Sequence, residues 1–340
     1  MKLKQSFYLL VILPLLLFSC QNAQDEQVNE VEEESAATAS AFEDAPSWAK
    51  EVVWYQIFVE RFRNGDKSND PRPQDIEGSF PGFVPEGWAI TPWTQDWYKE
   101  DPYFAAMKGT KMPEGYTLDK FEQFLQARRY GGDLQGVLDK VDYLDSLGVT
   151  AIYFNPLNDS PSLHKYDPRT WRHVDINFGP SPDKDIATMA QETPDDPSTW
   201  QMTGADQLFV DVIKAFHDKG IKVILDYSWN HTGNTFWALK DVQEKGEASK
   251  YKDWYIVEEY DDPSTEENEF DYKGWVGIKT LPEIKETVEF HADALAAYEG
   301  DFVSEAAKQH VFNITKRWLD PNGDGNPEDG VDGFRLDVAA

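Results

Sequence analysis

Two short strings hold most of the side chains that could do chemistry. In "GFRLDVA", Arg335 and Asp337 are one alternation apart, so a strand would place both on the same face. In "DYSWNH", Asp226, Asn230 and His231 follow the alternating apolar residues Ile221, Val223 and Leu225. A guanidinium and carboxylates are costly to bury unless they meet each other and a substrate. In a β/α barrel, the C-terminal ends of strands are where substrates are handled. A third string, "RNGDKSNDP", gathers Asn64, Asp66, Asn69 and Asp70 around Gly65. Four oxygen-bearing side chains so close together suit a hard cation such as calcium, and they equally suit a solvated Asn/Asp turn.

The elements that must position these residues can be read from hydrophobic period. "VVWYQIFVERF" is β-branched and aromatic throughout and predicts a first, largely buried strand. Leu134, Val137, Leu138, Val141, Leu144 and Leu147 recur at helical spacing before Gly148, and "TAIYFNPL" then predicts strand two. "ADQLFVDVIKAFHDKG" predicts an amphipathic helix containing a structural His217, and "IKVILDYSWNH" predicts strand three. "DFVSEAAKQHVFNITKRWL" predicts a further helix, followed by a buried fourth strand carrying Phe334, Leu336 and Val338. Repeated strand–helix steps imply a parallel sheet and the first half of an α/β, (β/α)8 TIM barrel. The Gly-, Pro- and Trp-rich stretch 76–130 is expected to form a rim loop or small subdomain. Its aromatics either face a ligand or seal a satellite cluster. Residues 232–300 are too long for a barrel loop and are expected to form a small inserted domain after strand three.

Composition narrows the partners. The chain has 340 residues with 62 acidic and 32 basic side chains, a formal charge of −30. Such a surface repels phosphate backbones, which excludes nucleic acid as a partner. The 12 Trp, 15 Tyr and 20 Phe suit stacking on sugar rings, or an ordinary large core. At the N-terminus, Lys2 and Lys4 precede the apolar run "FYLLVILPLLLF", too short for a comfortable span. The run ends in "LFSC", similar to a bacterial lipobox, so Cys20, the only cysteine, is expected to carry lipid. The expected organisation is a lipoprotein signal peptide over 1–20, a flexible acidic tether over 21–47, barrel over 48–231, the insertion over 232–300 and barrel again over 301–340. The expected location is the cell envelope, on the outer membrane through the lipid, either periplasmic or exposed at the surface.

Taken together and in order, "SPSLHKYD", "DYSWNH" and "GFRLDVA" resemble the motifs after strands two, three and four of glycoside hydrolase family 13, the alpha-amylase family. Within it the chain is similar to the cyclomaltodextrinase and neopullulanase branch, over residues 48–340. The resemblance implies a hydrolase cleaving alpha-glucosidic bonds in starch, maltooligosaccharides or cyclodextrins with retention. One carboxylate attacks and a second carboxyl about 5 Å away protonates the leaving oxygen. It makes Asp337 the nucleophile, with Arg335 aiming it and Asp226 orienting Arg335. His231 would bond sugar hydroxyls, Asn230 would brace its loop, Tyr166 would stack on the same sugar, and His164 would belong to the substrate site. The same resemblance adds the Gly131 carbonyl and the Asp133 carboxylate to Asn64, Asp66, Asn69 and Asp70 as a structural calcium site. It also implies a general-acid glutamate after strand five and a further aspartate after strand seven. These are expected in a longer parent, without which the present chain would be inactive. A glucanotransferase or glucan isomerase of the same family would share every motif, and a surface glycan-binding lipoprotein without catalysis is a further alternative.

Two departures carry expectations of their own. The branch has an Asp-Tyr pair where this chain has Thr170-Trp171, and the bulkier ring is expected to reshape the entrance subsites. Asp320, Asn322 and Asp324 mimic the start of a calcium loop whose twelfth position is Val331 instead of glutamate, so at best a weak second calcium is expected there.

Overall fold

The computed structural model describes residues 46–79, 83–112, 117–289 and 299–338. The signal peptide, Cys20 and nearly all of the tether therefore lie outside the described residues. Four strands make the central sheet: β1 (Trp54–Ile57), β2 (Ala151–Phe154), β3 (Lys222–Ser228) and β4 (Gly333–Asp337). They pair in sequence order and every pair is parallel. This is the partial parallel sheet expected of half a β/α barrel.

Helices α1 (Leu134–Leu138) and α2 (Val141–Ser146) precede β2, and α3 (Pro182–Met189) and α4 (Gly204–His217) precede β3. Helices α5 (Trp237–Lys245) and α6 (Glu305–Leu319) lie between β3 and β4. The start of α4 is a reciprocal cap: Asp206 N donates to Thr203 Oγ at 3.0 Å, and Thr203 N donates to Asp206 Oδ2 at 3.0 Å. The chain leaves this helix through Gly220 at φ +70°, a conformation that costs glycine nothing. Ile57, Ile152, Phe154, Val223 and Leu225 share one sheet face and bury against Leu134, Phe209, Phe216, Ile314 and Trp318. This face is the core; the opposite face carries Gln56, Tyr153, Asp226, Arg335 and Asp337 beside Trp54 and Ile224.

Several expectations need adjustment. The first strand is only four residues long, because Val59–Arg61 turns into a short 3-10 helix. That turn brings the buried Glu60 carboxylate to Tyr130 N and Gly131 N. Trp54 is 47% exposed and Leu336 49% exposed, since β1 and β4 each have a strand on one side alone among the described residues. The run 134–147 is two helices instead of one, with Lys140 at φ −113° between them.

The stretch 76–130 seals itself as a satellite cluster of Ile76, Trp88, Tyr103, Phe104, Met107, Leu118 and Phe124. Residues 232–300 hold α5 and two antiparallel ribbons, Val257–Glu259 with Asp271–Tyr272 and Glu286–Glu289 with Glu299–Phe302. Phe236, Leu239, Trp254 and Tyr272 of this stretch join the same core as the barrel strands. Among the described residues, no helix is long and apolar enough to cross a membrane.

Candidate active site

Strand register assembles the site. Arg335 lies opposite Asp226 and Asp337 opposite Ser228, while Tyr153 lies opposite Ile224 and Gln56 opposite Tyr153. Because alternate residues share a face, Gln56, Tyr153, Asp226, Arg335 and Asp337 all lie on the side away from the helices. Asp226 is completely buried. It accepts from Arg335 Nη1 at 3.1 and 3.2 Å, from Tyr166 Oη at 2.7 Å and from the Tyr153 hydroxyl. The same Arg335 nitrogen lies 2.5 Å from Asp337 Oδ1 and 3.3 Å from Tyr166 Oη. One guanidinium therefore joins two carboxylates that differ in access: Asp226 is sealed, whereas the Asp337 side chain is 29% exposed.

Electrostatics sharpen that division. Burial pushes the Asp226 carboxyl up, opposed by the tyrosine hydroxyls and Arg335. Burial works against the charge on Arg335, but the Asp226 carboxylate overrides it and holds the guanidinium above its ordinary value. Desolvation, reinforced by Asp226, raises the Tyr166 phenol and pushes Tyr153 up to about 12. Both phenols therefore stay protonated as donors to Asp226. The arrangement fixes Arg335 from behind and leaves the open carboxylate, Asp337, aimed by it.

His231 is seated at the exit of β3. Its ring stacks on Trp275 with centroids 5.4 Å apart. Its Nδ1 lies 3.2 Å from Asn230 Oδ1 and 3.4 Å from Ser228 Oγ. Desolvation lowers it to about 4, so the ring is neutral at pH 7. Its Nε2 is buried and has no hydrogen-bond partner among the described residues, which leaves one ring nitrogen to meet a hydroxyl. The Asn230 carbonyl accepts from Ile284 N at 2.8 Å and ties this loop to the next segment. His164 Nδ1 is 3.1 Å from Tyr166 N and 3.1 Å from Ser162 Oγ. It lines a hollow of about 430 Å³ with Gln56, Phe58 and Asn155. A second hollow of about 440 Å³, beside α3, contains none of these residues. Its cations, Arg169 and Arg172, are already paired with Asp159 and Glu192.

The six residues expected to hold calcium converge from two segments. Asn64 Nδ2 is 2.5 Å from Asp70 Oδ1, and a Cβ on Gly131 would strike both Asp70 Oδ1 and Asn64 Nδ2, at 2.6 and 2.8 Å. Asp133 accepts from Gly65 N and Asp66 N, at 3.0 and 2.8 Å, and caps α1 through Gly136 N at 2.6 Å. Asp66 Oδ1 accepts from Ser68 N at 2.9 Å. Asn64 Oδ1 and Asn69 Oδ1 are buried without a donor among the described residues. Burial raises both Asp70 and Asp133. Orphaned acceptors beside desolvated carboxylates fit an oxygen-seeking cation. No group of three or more His, Cys, Asp or Glu side chains suited to a metal occurs among the described residues; this set relies on amide and main-chain oxygens as well.

Trp171 departs from expectation. It is fully buried and packs on Trp229 at 5.3 Å and Phe236 at 5.0 Å. Its ring fills core and does not shape an entrance. In the loop at 320–324, Asp320 accepts from Asp324 N at 3.1 Å and Gly325 N at 2.9 Å. Tyr153 and Trp275 were not singled out from the sequence. Tyr153 could have been found by carrying the alternation of β3 across to β2, whereas Trp275 comes from a loop with no periodic signal.

Parallel strands whose C-terminal ends gather carboxylates, a guanidinium, a tyrosine and a neutral histidine make a partial parallel sheet, consistent with half of a β/α barrel, with a polar ligand face. The chain belongs to the alpha-amylase family: the pattern described as "Alpha amylase, catalytic domain" matches residues 56–196 and 197–340. Among curated relatives, neopullulanase 2 of Thermoactinomyces vulgaris is 32% identical over 295 residues, covering 86% of this chain and 35% of that protein. A cyclomaltodextrinase of Geobacillus thermopakistaniensis is 30% identical over 295 residues, covering 87% and 34%. The chain thus spans about a third of the length of these relatives. Among solved structures, the cyclic alpha-maltosyl-(1-->6)-maltose hydrolase of Arthrobacter globiformis superposes with a TM-score of 0.55 at 25% identity, covering 87% of this chain and 46% of that one. The type III pullulan hydrolase of Thermococcus kodakarensis gives 0.55 at 25% identity, covering 84% and 37%.

Proposed function

We propose that the chain is the first half of a retaining glycoside hydrolase barrel that cleaves alpha-glucosidic bonds in starch, maltooligosaccharides or cyclodextrins. The observation that carries this reading is the pairing of Arg335 with an open Asp337 at 2.5 Å and a sealed Asp226 at 3.1 Å. Asp337 is the nucleophile, held in place by Arg335. Asp226 positions Arg335, and the free Nε2 of His231 meets a hydroxyl of the sugar whose face rests on Tyr166. His164 completes the wall of that subsite, and Asn230 braces His231. The general acid belongs to the part of the barrel contributed by the rest of the parent protein. Similarity to a neopullulanase and a cyclomaltodextrinase supports an alpha-glucan substrate.

Calcium is proposed as a structural ion held by Asn64, Asp66, Asn69, Asp70, Gly131 and Asp133. It would offset the desolvated charge of Asp70 and Asp133, satisfy the orphaned Asn64 and Asn69 oxygens and staple the ends of the 76–130 excursion. Residues 232–300 are proposed as the inserted domain B. Cys20 is proposed to anchor the protein in the outer membrane, on its periplasmic or outer surface.

In the complete protein, Asp337→Asn should leave maltooligosaccharide binding largely intact while kcat falls by several orders of magnitude. A near-native kcat would remove Asp337 from the nucleophile's role.

A further inference from the structure

We propose that Lys165 is a positioning residue: its buried ammonium locks the loop 160–167 in a left-handed turn that presents His164 and Tyr166 to the sugar. The inference rests on the reading of the site given above, and it assigns a task to a side chain that touches no substrate.

Lys165 is one of three described non-glycine residues with positive φ, at +64°, where an ordinary L-residue is strained by its own Cβ. It is also 5% exposed, which is rare for an ammonium without strong partners. Those partners are present. Nζ lies 2.6 Å from Asp175 Oδ2 and donates to Ser160 O at 3.0 Å, and it stands 5.1 Å above the Phe178 ring. The backbone is pinned as well: Lys165 N donates to Ser162 Oγ at 3.1 Å, and Ser160 Oγ donates to Lys165 O at 3.1 Å.

Asp175 is the anchor on the other side. Its Oδ2 also accepts from Ser160 N at 3.0 Å, and its Oδ1 accepts from Asn177 N at 3.0 Å. It sits immediately after the strand Thr170–Val174, which pairs with Asn158–Asp159 at the entry to the loop. Lysine and aspartate therefore close a short circuit around the segment between them.

The consequence falls on the neighbours of Lys165 in sequence. A left-handed residue between them reverses the chain direction, so that Tyr166 N meets His164 Nδ1 at 3.1 Å and the two rings lie 5.8 Å apart. The Tyr166 hydroxyl then reaches Asp226 at 2.7 Å. Release of Lys165 would let the backbone relax out of the left-handed region and withdraw the tyrosine from Asp226 and Arg335. Misplacement on the order of 1 Å in such a group costs about 10²-fold in rate.

Removing Lys165 alone leaves the Asp175 carboxylate buried and unpaired, so the informative variant is Lys165→Met/Asp175→Asn, which removes both charges together. It is compared in the complete protein with the wild type, Lys165→Ala and Lys165→Gly. Two measurements are made on each: amide hydrogen exchange of residues 160–167 against β2 and β3, and kcat and KM on maltooligosaccharide. The expected result is faster exchange confined to 160–167 in the double variant, with kcat/KM lower by at least about tenfold. Lys165→Gly should retain more activity than Lys165→Ala, because glycine occupies the left-handed turn without strain. Unchanged loop exchange in the double variant would overturn the lock, and loosened exchange with unchanged kcat/KM would overturn the positioning role. A wild type that exchanges as expected but hydrolyses no alpha-glucan would overturn the functional reading and leave the lock standing.

Discussion

Acidifying the protein from pH 5 to below pH 2 should remove about 2 kcal/mol of stability through one buried carboxylate, Asp206. Asp206 accepts from His173 Nδ1 at 2.7 Å, Arg317 Nη2 at 2.9 Å, Val174 N at 2.9 Å and Thr203 N at 3.0 Å. Burial alone would raise it; the His173 and Arg317 cations instead pull it from 3.8 to about 2. The fall from 3.8 to about 2 spans a little under two pH units, and at 1.36 kcal/mol per pH unit it gives roughly 2 kcal/mol. The depressed carboxylate contributes stability that is present above pH 3.8 and is lost as pH falls through about 2. His173 has the opposite sign. Desolvation opposes its charge, but Asp206 at one ring nitrogen and Glu192 at the other raise it above 6.5. Its contribution is full below pH 6.5 and fades as pH rises through the folded value. Stability from this cluster is therefore greatest between about pH 4 and pH 6.5. Urea unfolding followed by tryptophan fluorescence from pH 2 to 9 measures it, in wild type and His173→Gln. The variant should lose stability at pH 5 and show a flatter profile on both flanks. Parallel profiles for the two proteins would refute the assignment.

Chelation should lower the melting temperature markedly, calcium should restore it, and Asp66→Ala/Asp133→Ala should respond far less; equal responses would remove the six-residue site. His231→Ala should reduce kcat/KM by about 10²-fold through the lost hydroxyl contact. With His231 lowered to about 4, the ring stays neutral from pH 5 to 8, so any step in activity near pH 6.5 must come from another group. Labelled palmitate should enter the wild type and not Cys20→Ala; equal labelling would exclude Cys20 as the lipidated residue.

How much of this was legible in the sequence differs by residue. Arg335 and Asp337 could be placed on one face, and near Asp226, because a parallel strand fixes alternation and the apolar face of β3 fixes which side is inner. Tyr166, His164 and the Gly131–Asp133 half of the proposed metal site are legible through motif resemblance alone, since nothing in their local pattern brings them to a strand end. Glu60 ended β1 early because its carboxylate serves Tyr130 N and Gly131 N, about 70 residues on in the chain. The lock at Lys165 is of the same kind: a lysine in a polar string reads as solvated, and only tertiary packing shows it buried against Asp175. Trp171 misled for the converse reason, because its departure from the branch's motif drew it toward the substrate while its ring went to the core.

Asp337 is proposed to form a covalent bond to the sugar. The complete protein, incubated with a 5-fluoro-α-glucosyl fluoride, which slows hydrolysis of the intermediate, would be digested and its peptides weighed by mass spectrometry. One glucosyl-type adduct is expected on the peptide containing Asp337, absent in Asp337→Asn. An adduct on another carboxylate, or steady turnover with inversion of the anomeric centre, would contradict it.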